Sequence, residues 1–156
     1  AVNIATLLIH LYKQYETVCL QKNITLTLNL SDEKSPVLFT DSDRILKILC
    51  IYLENAIHHA KQTPSIEITT TLTSKQITFS IIDHGKGIKE KDKPYIFDRF
   101  YRADASRNSS TGGSGIGLSI VKKIIEDHGG KIWVNSKEGT GTIMYFVIRK
   151  YQEVIN

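Results

Sequence analysis

Thr111-Gly112-Gly113-Ser114-Gly115-Ile116-Gly117-Leu118 runs into Ser119-Ile120-Val121-Lys122-Lys123-Ile124-Ile125, and on this stretch the reading of the chain turns. Three glycines alternate with other residues, and the apolar positions that follow recur at helical spacing. A glycine-rich loop feeding a helix N-terminus makes an anion site. Backbone N–H groups approach closely where no Cβ intervenes, and the helix end adds about half a positive charge. A flexible turn before an ordinary surface helix is the competing reading of the loop taken alone. A P-loop is excluded because its lysine position is Leu118. The dinucleotide fingerprint is excluded because Gly113-x-Gly115-x-Gly117 has the wrong spacing and 102–110 is no strand.

Upstream of the loop, 103–112 is polar and glycine-ended, as a lid over a site would be. Before it, Phe97-Asp98-Arg99-Phe100-Tyr101-Arg102 mixes aromatics with arginines, after a short helix that begins at Pro94. Asp83-His84-Gly85-Lys86-Gly87-Ile88 closes an alternating run, 75–82, that pairs as a hairpin with 65–71. An aspartate at a strand end, followed by spaced glycines, can aim a carboxylate into a cleft; a structural turn is the alternative. Downstream, His128-Gly129-Gly130 stops the central helix, and strands 131–136 and 140–150 follow around Lys137-Glu138-Gly139.

The N-terminal third supplies two further helices. Residues 4–20 place Leu7, Leu8, Leu11, Tyr15, Val18 and Cys19 on one side, with His10 partly exposed. Strands are expected at 23–30 and 37–40. Asp41, Ser42 and Asp43 are candidate caps for a helix reaching about residue 60. Its apolar set is Ile45, Leu46, Ile48, Leu49, Ile51, Leu53, Ala56 and Ile57, which leaves Asn55 as an amide that burial would oblige to find partners.

The element order predicts an α+β two-layer sandwich, a mixed and mostly antiparallel sheet of about five strands on three helices. One domain over 1–150 is expected, with a frayed tail at 151–156. At 156 residues the chain can bury a core without staples. Cys19 and Cys50 stand singly on helical patterns, so packed thiols in a reducing compartment are expected in place of a disulfide. No apolar run is long enough to span a membrane and no signal peptide opens the chain. The net charge of +4 is spread over dispersed lysines, which gives nucleic-acid binding no support.

Taken together, five stretches resemble the sensor histidine kinases. Glu54-Asn55-Ala56-Ile57-His58-His59-Ala60 is similar to their N box, and 83–88 to their G1 box. Residues 97–102 are similar to the F box, 113–118 to the G2 box, and Gly139-Thr140-Gly141-Thr142 to the closing glycine-threonine turn. The chain is thereby identified as a member of the catalytic, ATP-binding domains of two-component sensor histidine kinases, in the ATPase group that includes DNA gyrase.

The resemblance implies ATP and Mg²⁺ as cofactors. It implies that Asp83 accepts from the adenine amino group, with Gly85, Gly87 and Ile88 against the base and Thr142 supporting Asp83 through a water. Asn55 would hold Mg²⁺. His58 and His59 would lie by the phosphates, which Gly113, Ser114, Gly115, Ile116, Gly117 and Leu118 would wrap. Arg99 or Arg102 would neutralise γ-phosphate charge, and Phe97 and Phe100 would anchor the lid.

Two departures stand out. Ile51 occupies a position where many relatives carry a second asparagine. His58 stands where lysine or arginine is common, and a histidine is a cation only in part at neutral pH. The family's phosphate-accepting histidine, in a histidine-glutamate motif on a dimeric helical hairpin, has no match among His10, His58, His59, His84 and His128. The implied partners are therefore a separate phosphoacceptor domain and, through it, a response regulator. The chain itself is expected to be monomeric and to be the cytoplasmic part of a membrane-bound bacterial sensor. A nucleotide-responsive regulatory domain without kinase activity is the alternative.

Overall fold

The computed structural model describes residues 2–30, 37–38, 41–59, 65–73, 75–98 and 117–149. The expected lid, the tail and most of the glycine-rich loop lie outside them.

Helix α1, Ile4–Gln21, is capped by Asn3, whose side-chain oxygen accepts from the Thr6 N–H at 3.0 Å. Its buried stripe is Ile4, Leu7, Leu8, Leu11, Tyr15 and Cys19, at the i, i+3, i+4 spacing of one helix face. Val18, expected on that face, is 38% exposed. The last turn centres its buried side on Tyr15 and Cys19, which pushes Val18 to the flank. The chain then reverses through Asn23 at φ +57°, a left-handed turn that asparagine tolerates. The Ile24 N–H closes back on the Cys19 carbonyl at 2.8 Å, and strand β2, Thr25–Leu30, begins.

Helix α2, Ser42–His59, takes Asp41 as its cap, which accepts from the Asp43 N–H at 3.0 Å. Ile45, Ile48, Leu49, Leu53 and Ala56 are buried as expected; Leu46, Cys50, Ile51 and Ile57 are half-buried against the core. Tyr52, outside the apolar set drawn from the sequence, is fully buried. Its hydroxyl donates to the Tyr145 carbonyl at 3.3 Å and its ring meets Phe146 edge-on, so the polar tip is satisfied and the rest packs.

Strands β4, Ser65–Leu72, and β5, Gln76–Asp83, form the expected hairpin. After α3, Gly117–Asp127, come β6, Lys131–Lys137, and β7, Gly141–Arg149. The five-stranded sheet runs β2-β4-β5-β7-β6, with β2 parallel to β4 and every other pair antiparallel. The parallel pair is joined through α2, as a parallel connection requires. A two-residue strand β1, Val2–Asn3, not foreseen in the sequence, pairs antiparallel with β3, Val37–Leu38. Two residues carry no alternation to read.

All three helices cover one sheet face, α1 over β2, α2 over β5, and α3 over β6 and β7. That face is apolar: Leu26, Ile66, Ile68, Ile77, Phe79, Ile81, Met144, Phe146 and Ile148 are buried beneath the helices. Phe79 and Phe146 stack at its centre at 4.6 Å. Both cysteines are free, Cys19 buried and Cys50 half-buried. Among the described residues no helix is long and apolar enough to cross a membrane.

Candidate functional site

Strand β5 points Ile77, Phe79 and Ile81 into the core, and its period of two carries Asp83 to the same face. A carboxylate therefore stands where the pattern calls for an apolar side chain, and it is 6% exposed. It accepts from the Gly85 N–H at 2.9 Å and from the backbone N–H of Thr142, its cross-strand neighbour. Burial pushes the Asp83 carboxyl above the usual carboxylate range, while these two N–H groups and the charge of His84 pull it back. Thr142 thus supports Asp83 directly through its main chain.

The loop after Asp83 is held against the β6–β7 turn. The Gly139 N–H donates to the Lys86 carbonyl at 2.7 Å, and the Ile88 N–H donates to Ser136 Oγ at 2.8 Å. Gly87 sits at φ +73°, and a Cβ there would run into the Lys137 carbonyl. Gly141, at φ +138°, leaves no room for a Cβ beside the Asp83 carbonyl. Both glycines allow one backbone to lie on another.

Beneath the loop, Ser136 Oγ also donates to the Gly141 carbonyl at 2.8 Å and lies 2.9 Å from Thr142 Oγ1. Ser136 and Thr142 are both buried. Sequence reasoning passed over Ser136. The signal was present, because Ile132, Val134 and Ser136 share the inward face of β6 and the last of them is polar.

The second part of the site lies along α2 and the start of α3. Asn55 is half-buried, one helical turn beyond Ile51 on the same stripe. Ile51 packs against Gly117, the first residue of α3. Asn55 thus lies one turn along α2 from the contact with the α3 N-terminus, whose first N–H groups have no partner within the helix. The Leu118 and Phe97 side chains pack against the core, which leaves the Leu118 backbone as the part available to a ligand. His58 is exposed on the last turn of α2. The His59 side chain lies outside the described residues, as do Arg99, Phe100, Arg102, Gly113, Ser114, Gly115 and Ile116.

Chemically, the first cluster offers a buried acceptor to an amino-bearing ring, and the second offers helix-end donors to an anion. Among the described residues no three His, Cys, Asp or Glu are grouped to hold a metal. The Asn55 amide oxygen is a hard donor of the kind that takes Mg²⁺ when phosphate and water oxygens complete the shell, so it fits that ion.

Comparison with known proteins follows the same lines. Residues 40–152 match the family model described as histidine kinase-, DNA gyrase B-, and HSP90-like ATPase. The signal transduction histidine-protein kinase ArlS of Staphylococcus haemolyticus is 38% identical over 136 residues, which cover 87% of this chain and 27% of that protein. The chain spans only about a quarter of that relative's length. The catalytic domain of histidine kinase ThkA superposes with a TM-score of 0.82 at 32% identity, covering 95% of each chain. A structure of ThkA in complex with response regulator protein TrrA gives a TM-score of 0.79 at 29% identity, over 96% of this chain and 41% of that one.

Proposed function

The chain belongs to the family of histidine kinase-, DNA gyrase B-, and HSP90-like ATPases, in the form of the catalytic, ATP-binding domain of a sensor histidine kinase, and on that premise we propose how it works. It binds ATP with Mg²⁺ and positions the γ-phosphoryl group for transfer to a histidine on a separate domain of the parent kinase. From there the group would pass to a response regulator. ThkA, seen in complex with the response regulator TrrA, supports that partner class.

The observation that carries the reading is Asp83. A buried carboxylate, fixed by the Gly85 and Thr142 N–H groups, keeps lone pairs for a ligand donor. Asp83 accepts from the adenine amino group, and the backbone at Gly85, Gly87 and Ile88 lies along the base. Asn55 holds Mg²⁺, with His58 and His59 beside the phosphates. When bound there, Mg²⁺ would supply positive charge against the charge that develops on the phosphates.

Backbone N–H groups of Gly113, Ser114, Gly115, Ile116, Gly117 and Leu118 receive the phosphate chain, and the α3 dipole favours its charge. Arg99 or Arg102 stabilises the γ-phosphoryl group in transfer, and Phe97 with Phe100 anchors the lid. Transfer of this kind asks the protein for position and field more than for covalent chemistry. The unit is proposed to be monomeric and to form the cytoplasmic part of a membrane-bound bacterial sensor.

Calorimetric titration of ATP with Mg²⁺ tests the reading on the wild type and Asp83→Asn. Asparagine keeps the size and loses the charge. Binding in the wild type that collapses in the variant supports the adenine pocket. Equal binding in both, or none in either up to millimolar ATP, overturns it.

A further inference from the structure

Alternation along β6 and β7 places a second set of side chains on the sheet face that the helices do not cover. Ile132, Val134, Met144 and Phe146 pack against the core, so Trp133 and Tyr145 between them point the other way. The two rings are cross-strand partners and stack at 5.0 Å and 9°. Trp133 is 41% exposed. Ile82 and Ile143, paired across β5 and β7 on the same face, extend the patch.

Cations frame it. Lys131 and Lys137 share the outward row of β6 with Trp133, and Arg149 shares that of β7 with Tyr145. All three are exposed, and among the described residues none of them has an ion-pair partner. Glu67 is the one acid among the described outward-facing residues of the five strands, and the Asn29 amide donates to it at 3.2 Å. Lysines on an edge strand discourage stray pairing, which accounts for Lys131 and Lys137. It accounts neither for the exposed tryptophan between them nor for an arginine on β7, an interior strand. Tryptophan, tyrosine and arginine are the side chains that concentrate at the centres of protein contacts.

We propose that the outer face of β5, β7 and β6 docks an acidic protein segment, one that lays an apolar side chain on the Trp133–Tyr145 stack and sets carboxylates against Lys131, Lys137 and Arg149. Charge selects this occupant. A second copy would bring cation to cation across a two-fold contact. An anionic bilayer would meet Glu67 as a like charge. The indole, pinned against Tyr145, is a fixed surface for a side chain and not a free wedge for acyl chains. Three strands of about seven residues present about 330 Å². That is less than the roughly 800 Å² per partner of a stable interface, so the contact is transient. Asp83 lies on the helix side of the sheet, so the proposal stands apart from the nucleotide reading.

Trp133 is the only tryptophan in the chain, so its emission reports on this face alone. The probe is a short peptide of glutamates around a central phenylalanine; two counterparts carry lysine for glutamate, or serine for phenylalanine. The acidic aromatic peptide should shift the Trp133 emission to the blue and shield it from acrylamide quenching. The lysine peptide should do neither, and the serine peptide should bind at least about threefold more weakly. Lys131→Gln combined with Arg149→Gln should weaken the acidic peptide about three- to tenfold at low salt, and added salt should erase that difference. Tyr145→Ser should weaken it as well while ATP affinity stays unchanged; should that variant not fold, the charge variant decides.

No shift with the acidic peptide up to millimolar concentration overturns the proposal, as does equal binding of the acidic and lysine peptides or full binding to the charge variant. A shift seen only with vesicles of phosphatidylglycerol and phosphatidylcholine overturns it in favour of a membrane surface. One that grows with protein concentration alone overturns it in favour of a contact between copies.

Discussion

The Cγ2 methyl of Ile51 stands 3.2 Å from the point where a Cβ on Gly117 would lie. Carbon atoms in contact ordinarily settle at about 3.5–4.0 Å, so the absence of a side chain at Gly117 is already explained by the packing of α2 on α3. This glycine answers to the core before it answers to a phosphate. An aliphatic residue at position 51 and a glycine at 117 form a matched pair.

Coupling between the two positions follows. Alanine at Gly117 gains helix propensity, up to about 1 kcal/mol, but must displace Ile51. Urea unfolding of Gly117→Ala, Ile51→Ala and the double variant should show an interaction of about 0.5–1 kcal/mol, with the alanine at 117 better tolerated once the methyl is gone. Strict additivity would mean that the two residues do not share the space.

Asp83 should act against stability at neutral pH. Its carboxyl is raised above the ordinary value of 3.8, first by burial. Between 3.8 and the raised value the native state holds a proton that the unfolded chain has released, so stability falls as pH rises through that window and stays lower above it. Asp83→Asn removes the penalty. It should therefore be more stable than the wild type at pH 7, on the order of 1 kcal/mol, with the difference fading as pH falls toward 3.8. Thermal unfolding across pH measures this; a variant less stable at pH 7 than at pH 4, relative to wild type, contradicts it.

Much of this architecture is legible in the residues. Alternation over 75–82 marks β5, and the buried stripe of α1 is readable from Leu7, Leu8 and Leu11. Asp83 can be singled out because it stands at a strand end before spaced glycines. What escapes is long-range pairing and dual-natured side chains. Nothing in Val2–Asn3 announces a partner at Val37–Leu38, since two residues carry no period. Tyr52 is hidden because its hydroxyl disguises a core ring, and its satisfaction depends on a carbonyl 93 residues away. Ser136 is hidden because its three partners come from the loop after β5 and from the neighbouring strand β7, and only the fold assembles them.

His58 is exposed on the last turn of α2, three residues from Asn55. A permanent cation at this position adds charge beside a bound phosphate, so His58→Lys should bind ATP about two- to fivefold more tightly than the wild type, the size expected of an exposed charge pair. Calorimetric titration with Mg²⁺ measures this, and unchanged affinity in His58→Lys would remove position 58 from the phosphate contacts.

Gly87 and Gly139 separate backbone strain from steric collision on the two sides of one contact. Both have positive φ, +73° and +83°, but a Cβ at Gly87 meets the Lys137 carbonyl whereas one at Gly139 meets nothing within 4 Å. Gly139→Ala should therefore lose about 1–2 kcal/mol from conformation alone. It should also leave ATP binding unchanged, because the Gly139 N–H still reaches the Lys86 carbonyl. Gly87→Ala adds the collision, which only movement of the 84–88 loop away from β6 can relieve. It should lose more than about 2 kcal/mol and at least about tenfold in ATP affinity, since the Ile88 to Ser136 hydrogen bond stretches with the loop. Paired unfolding and titration measurements decide. Equal effects at the two glycines would mean that the loop is not seated on the β6–β7 turn in solution.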